Sequence, residues 1–161
     1  MYNIAVLHEM SLQMESLLDT LGWKILLRLQ DDARCSLRQL GREVGLSAPA
    51  VAERVRRMEE AGIITGYHAA VDPVRVGLSI TAFMRLSGVG DLVASFQEKV
   101  SETPEVLECH RLTGSDSFVL KVVAASIEHL EALIDRFVPY GEVTTSLVLS
   151  SPVTRRTLRR G

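Results

Sequence analysis

Apolar positions along the first third of the chain recur with helical spacing. Leu21, Ile25, Leu26 and Leu29 share one face and predict a helix over residues 19–30, started by Asp19 or Thr20. Gly22 is expected to weaken its first turn. Ser36 is placed to cap a second helix running to Val44, with Leu37, Leu40 and Val44 on one side. Gly45-Leu46-Ser47 makes a tight break, and Ser47 caps a third helix that tolerates Pro49 in its first turn, where amide donors are unpaired anyway. Val51, Val55 and Met58 are its buried stripe, and Gly62 ends it. Ile63, Ile64, Tyr67 and Val71 read as short extended segments around Gly66, a candidate wing.

After Asp72-Pro73 and Gly77 the period changes. Leu78, Ile80, Ala82, Met84 and Leu86 alternate strictly, as a half-buried strand does. Leu92, Val93, Phe96 and Val100 mark a helix stopped by Pro104; Val106–Leu112 and Phe118–Ala124 are strands joined by a polar loop. Ile127, Leu130, Leu133, Ile134 and Phe137 mark another helix, closed by Pro139 and Gly141 before a last strand over Val143–Leu149. The order βαββαβ predicts both helices on one face of an antiparallel sheet. The fold class is therefore α+β: an N-terminal winged helix-turn-helix followed by a ferredoxin-like sandwich. The expected domains are 14–72 and 78–153, with 73–77 as linker and 1–13 and 154–161 as terminal extensions.

Composition sharpens this division. Of 161 residues 47% are hydrophobic and 24% charged, which excludes disorder, and aromatics are only 5%, so the cores must rest on aliphatic side chains. No apolar run approaches the roughly 18 residues that cross a bilayer. Residues 1–13 lack a basic start and carry His8 and Glu9, unlike an export signal. Cys35 and Cys109 lie far apart and read as reduced thiols of a cytoplasmic protein. The net charge of -2 hides an asymmetry: residues 34–58 carry +4, residues 73–150 carry -4, and residues 151–161 carry +4. Because attraction to phosphate is screened within about 10 Å, a local basic cluster can bind nucleic acid on an acidic protein.

Three short helices with a glycine-containing turn before the third match a helix-turn-helix. With Val51, Val55 and Met58 inward, a turn of about 100° per residue sends Pro49, Glu53, Arg56 and Arg57 outward and leaves Ala50 and Arg54 on the flank. Arg54 and Arg57 have the reach for guanine edges or phosphates, and Glu53 for a cytosine amino group. Arg38 and Arg42 suit backbone contacts. The DNA-binding set is Arg38, Ser47, Pro49, Ala50, Glu53, Arg54 and Arg57, and the partner is double-stranded promoter DNA. A solvated Arg/Glu face on a helical bundle is the plain alternative.

The segment VGLSAPAVAERVRRMEEAGIITGYHAAVDPVRVG (44–77) resembles the heart of the leucine-responsive/AsnC regulators, the Lrp/AsnC or feast/famine family. LLDTLGWKILLRLQDDAR resembles that family's first helix, with Gly22 where an aspartate is usual. CHRLTGSDSFVLKV (109–122) and YGEVTTSLVLSSPV (140–153) extend the likeness to about residues 14–153. The resemblance implies a sandwich that dimerises through its sheet and assembles to octamers, and a metabolite effector, an amino acid, bound between dimers. It places effector contacts at Gly114, Ser115, Asp116 and Ser117. Many relatives carry Asp at the positions of Ser115 and Ser117, whereas Asp116 is the loop's one carboxylate here. Gly114 allows close backbone approach, the serines and amides suit a carboxylate, and Asp116 suits an ammonium group.

Two other functions fit parts of this pattern. Some haem-pathway decarboxylases resemble the same two-domain arrangement and would use His110, Arg111 and His68 in a pocket, but adjacent strand residues face opposite ways. A sensing module without DNA binding would not need the basic third helix. The expectation is no enzyme, no catalytic residues, no metal and no cofactor. The four histidines and two cysteines show no ligand spacing, and Gly88-Val89-Gly90 lacks the GK[ST] of a phosphate loop.

Overall fold

The computed structural model describes Met14 and residues 16–160; the readings made for residues 1–13 lie outside the described residues. The chain forms two compact units. One runs to Ala69 and takes back the residues from Val153 onward; the other is Ala70–Pro152.

In the first unit, α1 (Thr20–Asp31), α2 (Leu37–Val44) and α3 (Ala48–Glu60) form as the apolar spacing predicts. Each start has a side-chain acceptor for an otherwise unpaired amide. Asp19 accepts from Gly22 N at 2.7 Å, Ser36 from Gln39 N at 3.2 Å, and Ser47 from Ala50 N at 3.4 Å. Gly45 closes α2 at φ 76°, a left-handed conformation that only glycine adopts freely. Ile25, Leu40, Val51 and Met58 are fully buried and hold the three helices together with Leu26, Val44 and Val55. Each fully buried aliphatic side chain of this size contributes about 1.5–3 kcal/mol.

Two expectations change here. Gly22 does not simply loosen α1: it is buried, and a Cβ there would stand 1.8 Å from the Leu17 carbonyl oxygen. The backbone approaches so closely that any side chain is excluded. Among the described residues, the segment over residues 63–71 forms no paired strands. Ile63 N and Ile64 N instead donate to Met58 O at 2.9 and 3.1 Å, and Tyr67 Oη donates to Glu59 at 2.8 Å. A wing ladder needs a returning strand, and the turn at Pro73–Gly77 comes before one has formed.

The second unit holds β1 (Ile80–Ser87), α4 (Val93–Ser101), β2 (Val106–Arg111), β3 (Phe118–Ala124), α5 (Ile127–Phe137) and β4 (Glu142–Leu147). The sheet order is β2-β3-β1-β4, every neighbour antiparallel, which is the ferredoxin-like arrangement. Ala82, Met84 and Leu86 of β1 meet Leu120 and Val122 of β3 beneath Phe96 of α4 and Phe137 of α5. The Phe96 ring lies 4.6 Å from Phe118 and 5.9 Å from Phe137, within the range where aromatic pairs add to burial. Thr103 Oγ1 donates to Lys99 O at 2.7 Å just before Pro104 stops the helix.

On the sheet's other face, Phe83 stands opposite Lys121 and Ser146, and Arg85 opposite Val119 and Thr144. That face is more polar than an alternating pattern suggests. Cys109 packs against the buried cluster opposite Leu120. A bulge between Val106 and Glu108 shifts the register of β2 and turns Cys109 to the covered face.

Candidate nucleic-acid interface and effector loop

The third helix presents two faces. Val51, Val55 and Met58 are buried; Pro49, Ala50, Glu53 and Arg56 are exposed, and Arg54 and Arg57 half-buried. Ser47 spends its hydroxyl as the cap, so the first turn is rigid. Small side chains at Ala48, Pro49 and Ala50 leave the helix start open to close approach.

The outward charges are not equivalent. Arg56 lies between two carboxylates, donating to Glu53 Oε1 at 2.7 Å and pairing with Glu60. Its hydrogen bond holds the Glu53 carboxyl below the usual carboxylate range, so Glu53 is a charged, engaged acceptor. Arg54 forks onto Asp19, Nη1 to Oδ1 at 3.0 Å and Nη2 to Oδ2 at 2.9 Å. The side chain expected to read a guanine edge thus has an intramolecular partner that ties α3 to the start of α1. Hydrogen bonds from Arg54 and from Gly22 N together depress the Asp19 pKa. Among the described residues, Arg34, Arg38, Arg42 and Arg57 enter no ion pair. These four are the arginines of residues 34–58 without a charged partner. No local pattern signals the Asp19–Arg54 pair, because its members lie 35 residues apart.

In the second unit the loop between β2 and β3 is closed at its base by Leu112 N donating to Ser117 O at 2.9 Å. Ser117 N donates to Leu86 O at 2.7 Å, which fixes the loop to the central strand. Gly114 has φ 108° and open space where a Cβ would stand. Ser115 is exposed, Asp116 and Ser117 half-buried, and their side chains make no hydrogen bond among the described residues. The stretch Gly114–Ser117 offers one carboxylate, two hydroxyls and a bare backbone.

His110 is paired with Val119 and Arg111 with Phe118, so the two side chains leave opposite faces of the sheet. His110 is 63% exposed and lies 3.6 Å from Glu108. No groups of three or more His, Cys, Asp or Glu that could hold a metal occur among the described residues.

Comparison with known proteins decides the family. Residues 18–65 match the winged helix-turn-helix DNA-binding model and residues 81–158 the Lrp/AsnC ligand binding domain model. The chain belongs to the Lrp/AsnC family. It is 33% identical over 138 residues to the HTH-type transcriptional regulator LrpC of Bacillus subtilis, covering 86% of this chain and 96% of that one. The solved structure of LrpC superposes with a TM-score of 0.82 over 86% of this chain and 99% of LrpC. A transcriptional regulator from Neisseria meningitidis, solved as a complex with L-Met, is 29% identical with a TM-score of 0.82, covering 88% and 96% of the two chains. This Lrp/AsnC member is accordingly a DNA-binding transcription regulator and not an enzyme. No helix among its described residues is long and apolar enough to cross a membrane.

Proposed function

We propose that this regulator grips promoter DNA with the exposed face of α3, and that Arg57 carries the base or phosphate contact with Arg38 and Arg42 on flanking phosphates. The observation behind this reading is the unpaired Arg57 on the helix whose other side is the buried stripe, with the unpaired Arg38 and Arg42 on α2. Pro49, Ala50 and Glu53 lie along the same face toward the helix start, and the Ser47 cap sets its angle of entry. Arg54 acts from behind, holding α3 against α1. Such work places the protein in the cytoplasm, where bacterial and archaeal promoters are.

The effector reading rests on the loop. An amino acid would put its carboxylate on the serine hydroxyls and amides of Gly114–Ser117 and its ammonium group on Asp116; the Neisseria relative's complex with L-Met supports this class of ligand. Self-association through the sandwich, as a homodimer assembling further to an octamer, gives that ligand something to act on. A ligand shifts an assembly only by its differential affinity for the alternatives.

Footprinting on the gene's own upstream region tests the first reading. Arg57→Ala should cost about 1–3 kcal/mol of specific binding if the residue reads a base. Unchanged protection in Arg57→Ala and in an Arg38→Ala, Arg42→Ala double variant would remove this face from the interface. Calorimetry with the twenty amino acids on wild type and Asp116→Ala, read beside light scattering, tests the second. Equal binding to both proteins with no change of assembly would defeat it.

A further inference from the structure

We propose that the first unit carries a small-molecule site of its own, for a monocarboxylate with an apolar body, separate from the effector loop. A cavity of about 450 Å³ lies between α1, the segment leaving α3, and the C-terminal tail. That volume falls within the range of roughly 300–1,000 Å³ typical of ligand pockets. Its walls are Trp23, Leu26 and Leu29 of α1 with Ile63 and Ile64. Tyr67 and Leu158 also line it and remain 46% and 75% exposed. Exposed apolar groups gathered at the mouth of an apolar cavity mark a surface that gains by being covered.

The polar groups at the cavity define what covers it. Among the described residues no aspartate or glutamate lines it, while Arg155 and His68 do. Arg155 enters no ion pair among the described residues. Its place on the rim is set by a two-bond clamp three residues on: Gln30 Nε2 donates to Leu158 O at 3.1 Å, and Leu158 N donates to Gln30 Oε1 at 2.8 Å. Tyr67 Oη is occupied by Glu59 at 2.8 Å, so the tyrosine contributes its ring face rather than its hydroxyl. An uncompensated guanidinium beside an aromatic and aliphatic wall is complementary to a carboxylate on a hydrocarbon or aryl body. A molecule seated there touches α1, the segment following the recognition helix, and the tail together.

Trp23 is the chain's one tryptophan and forms part of the wall, so its fluorescence reports occupancy. The full-length protein is titrated with 3-phenylpropionate and, in parallel, with the uncharged 3-phenylpropionamide. The expected result is a saturable change with the acid, about tenfold weaker with the amide and about tenfold weaker for the acid in Arg155→Gln. Arg155 is exposed, and its replacement leaves both cores untouched. Asp116→Ala should bind the acid as wild type does, which separates this cavity from the loop in the other unit. Absence of a saturable change through the millimolar range overturns the proposal. So does equal affinity for acid and amide, equal affinity in Arg155→Gln, or loss of binding in Asp116→Ala.

Discussion

Removing the Asp19–Arg54 pair should unfold the first unit earlier while leaving Arg38, Arg42 and Arg57 in place. Two contributions meet at Asp19 and can be separated. Its Oδ1 accepts from Gly22 N at 2.7 Å, a helix cap worth about 1 kcal/mol. Its two oxygens also receive the Arg54 fork at 3.0 and 2.9 Å. The side chains are 28% and 42% exposed, so solvent screens the pair. Bidentate geometry places it at the upper end of the exposed range, about 1 kcal/mol, well short of a fully buried pair. Asp19→Asn keeps an acceptor for the cap and should lose about 1 kcal/mol; Asp19→Ala loses both contributions, about 2 kcal/mol. In a unit of this size each kcal/mol moves the melting temperature by about 4–8 °C. Urea unfolding followed through Trp23 reports the unit that contains the pair. A cycle combining Asp19→Asn with Arg54→Met should give a coupling of about 1 kcal/mol. The pH dependence has a definite sign. Asp19's folded pKa is depressed below its unfolded value of about 3.9. Its contribution is therefore complete above that value and lost as pH falls through the folded pKa. Wild type and Asp19→Asn should converge in stability as the medium is acidified past that point. A coupling under about 0.3 kcal/mol, or a gap that persists unchanged in acid, would refute the reasoning.

Gly22→Ala should destabilise the first unit by about 1–3 kcal/mol despite alanine's better helix propensity, because the Leu17 carbonyl must move; the same urea unfolding measures it. Stabilisation by that change would show the backbone approach to be looser than described. Cys109 should alkylate slowly in the native protein at neutral pH, since burial raises its thiol pKa and leaves little thiolate. Intact-mass kinetics against the urea-unfolded chain checks this, and equal rates in both states would contradict it.

The helices and the strand order were legible because each element carries its own period: stripes at Leu21–Leu29 and Val51–Met58, and strict alternation at Ile80–Leu86. Caps were legible too, since Asp19, Ser36 and Ser47 stand one residue before their helices. What escaped were contacts between positions remote in sequence. Arg54 reads as a flanking arginine with the reach for a guanine edge until Asp19 is brought beside it. Gly22 reads as a weak link until the Leu17 carbonyl is seen to fill its space. Cys109 reaches the covered face through a bulge, and a bulge needs only one extra residue against a partner strand that local alternation does not reveal. The missing ladder over residues 63–71 has the same origin, because β-branched residues favour extension but supply no partner.

The return of residues 153–160 to the first unit makes that unit discontinuous in sequence. The sensing unit is an insertion held at both ends, not a bead at the end of a string. Two covalent tethers join the units, at residues 69–70 and 152–153. The wiring also bears on how such regulators are recombined. A graft of residues 14–69 from another regulator would inherit a foreign tail against its first helix, with Gln30's partner at Leu158 mismatched. The transplantable cassette is discontinuous, and its short second piece has to travel with the first.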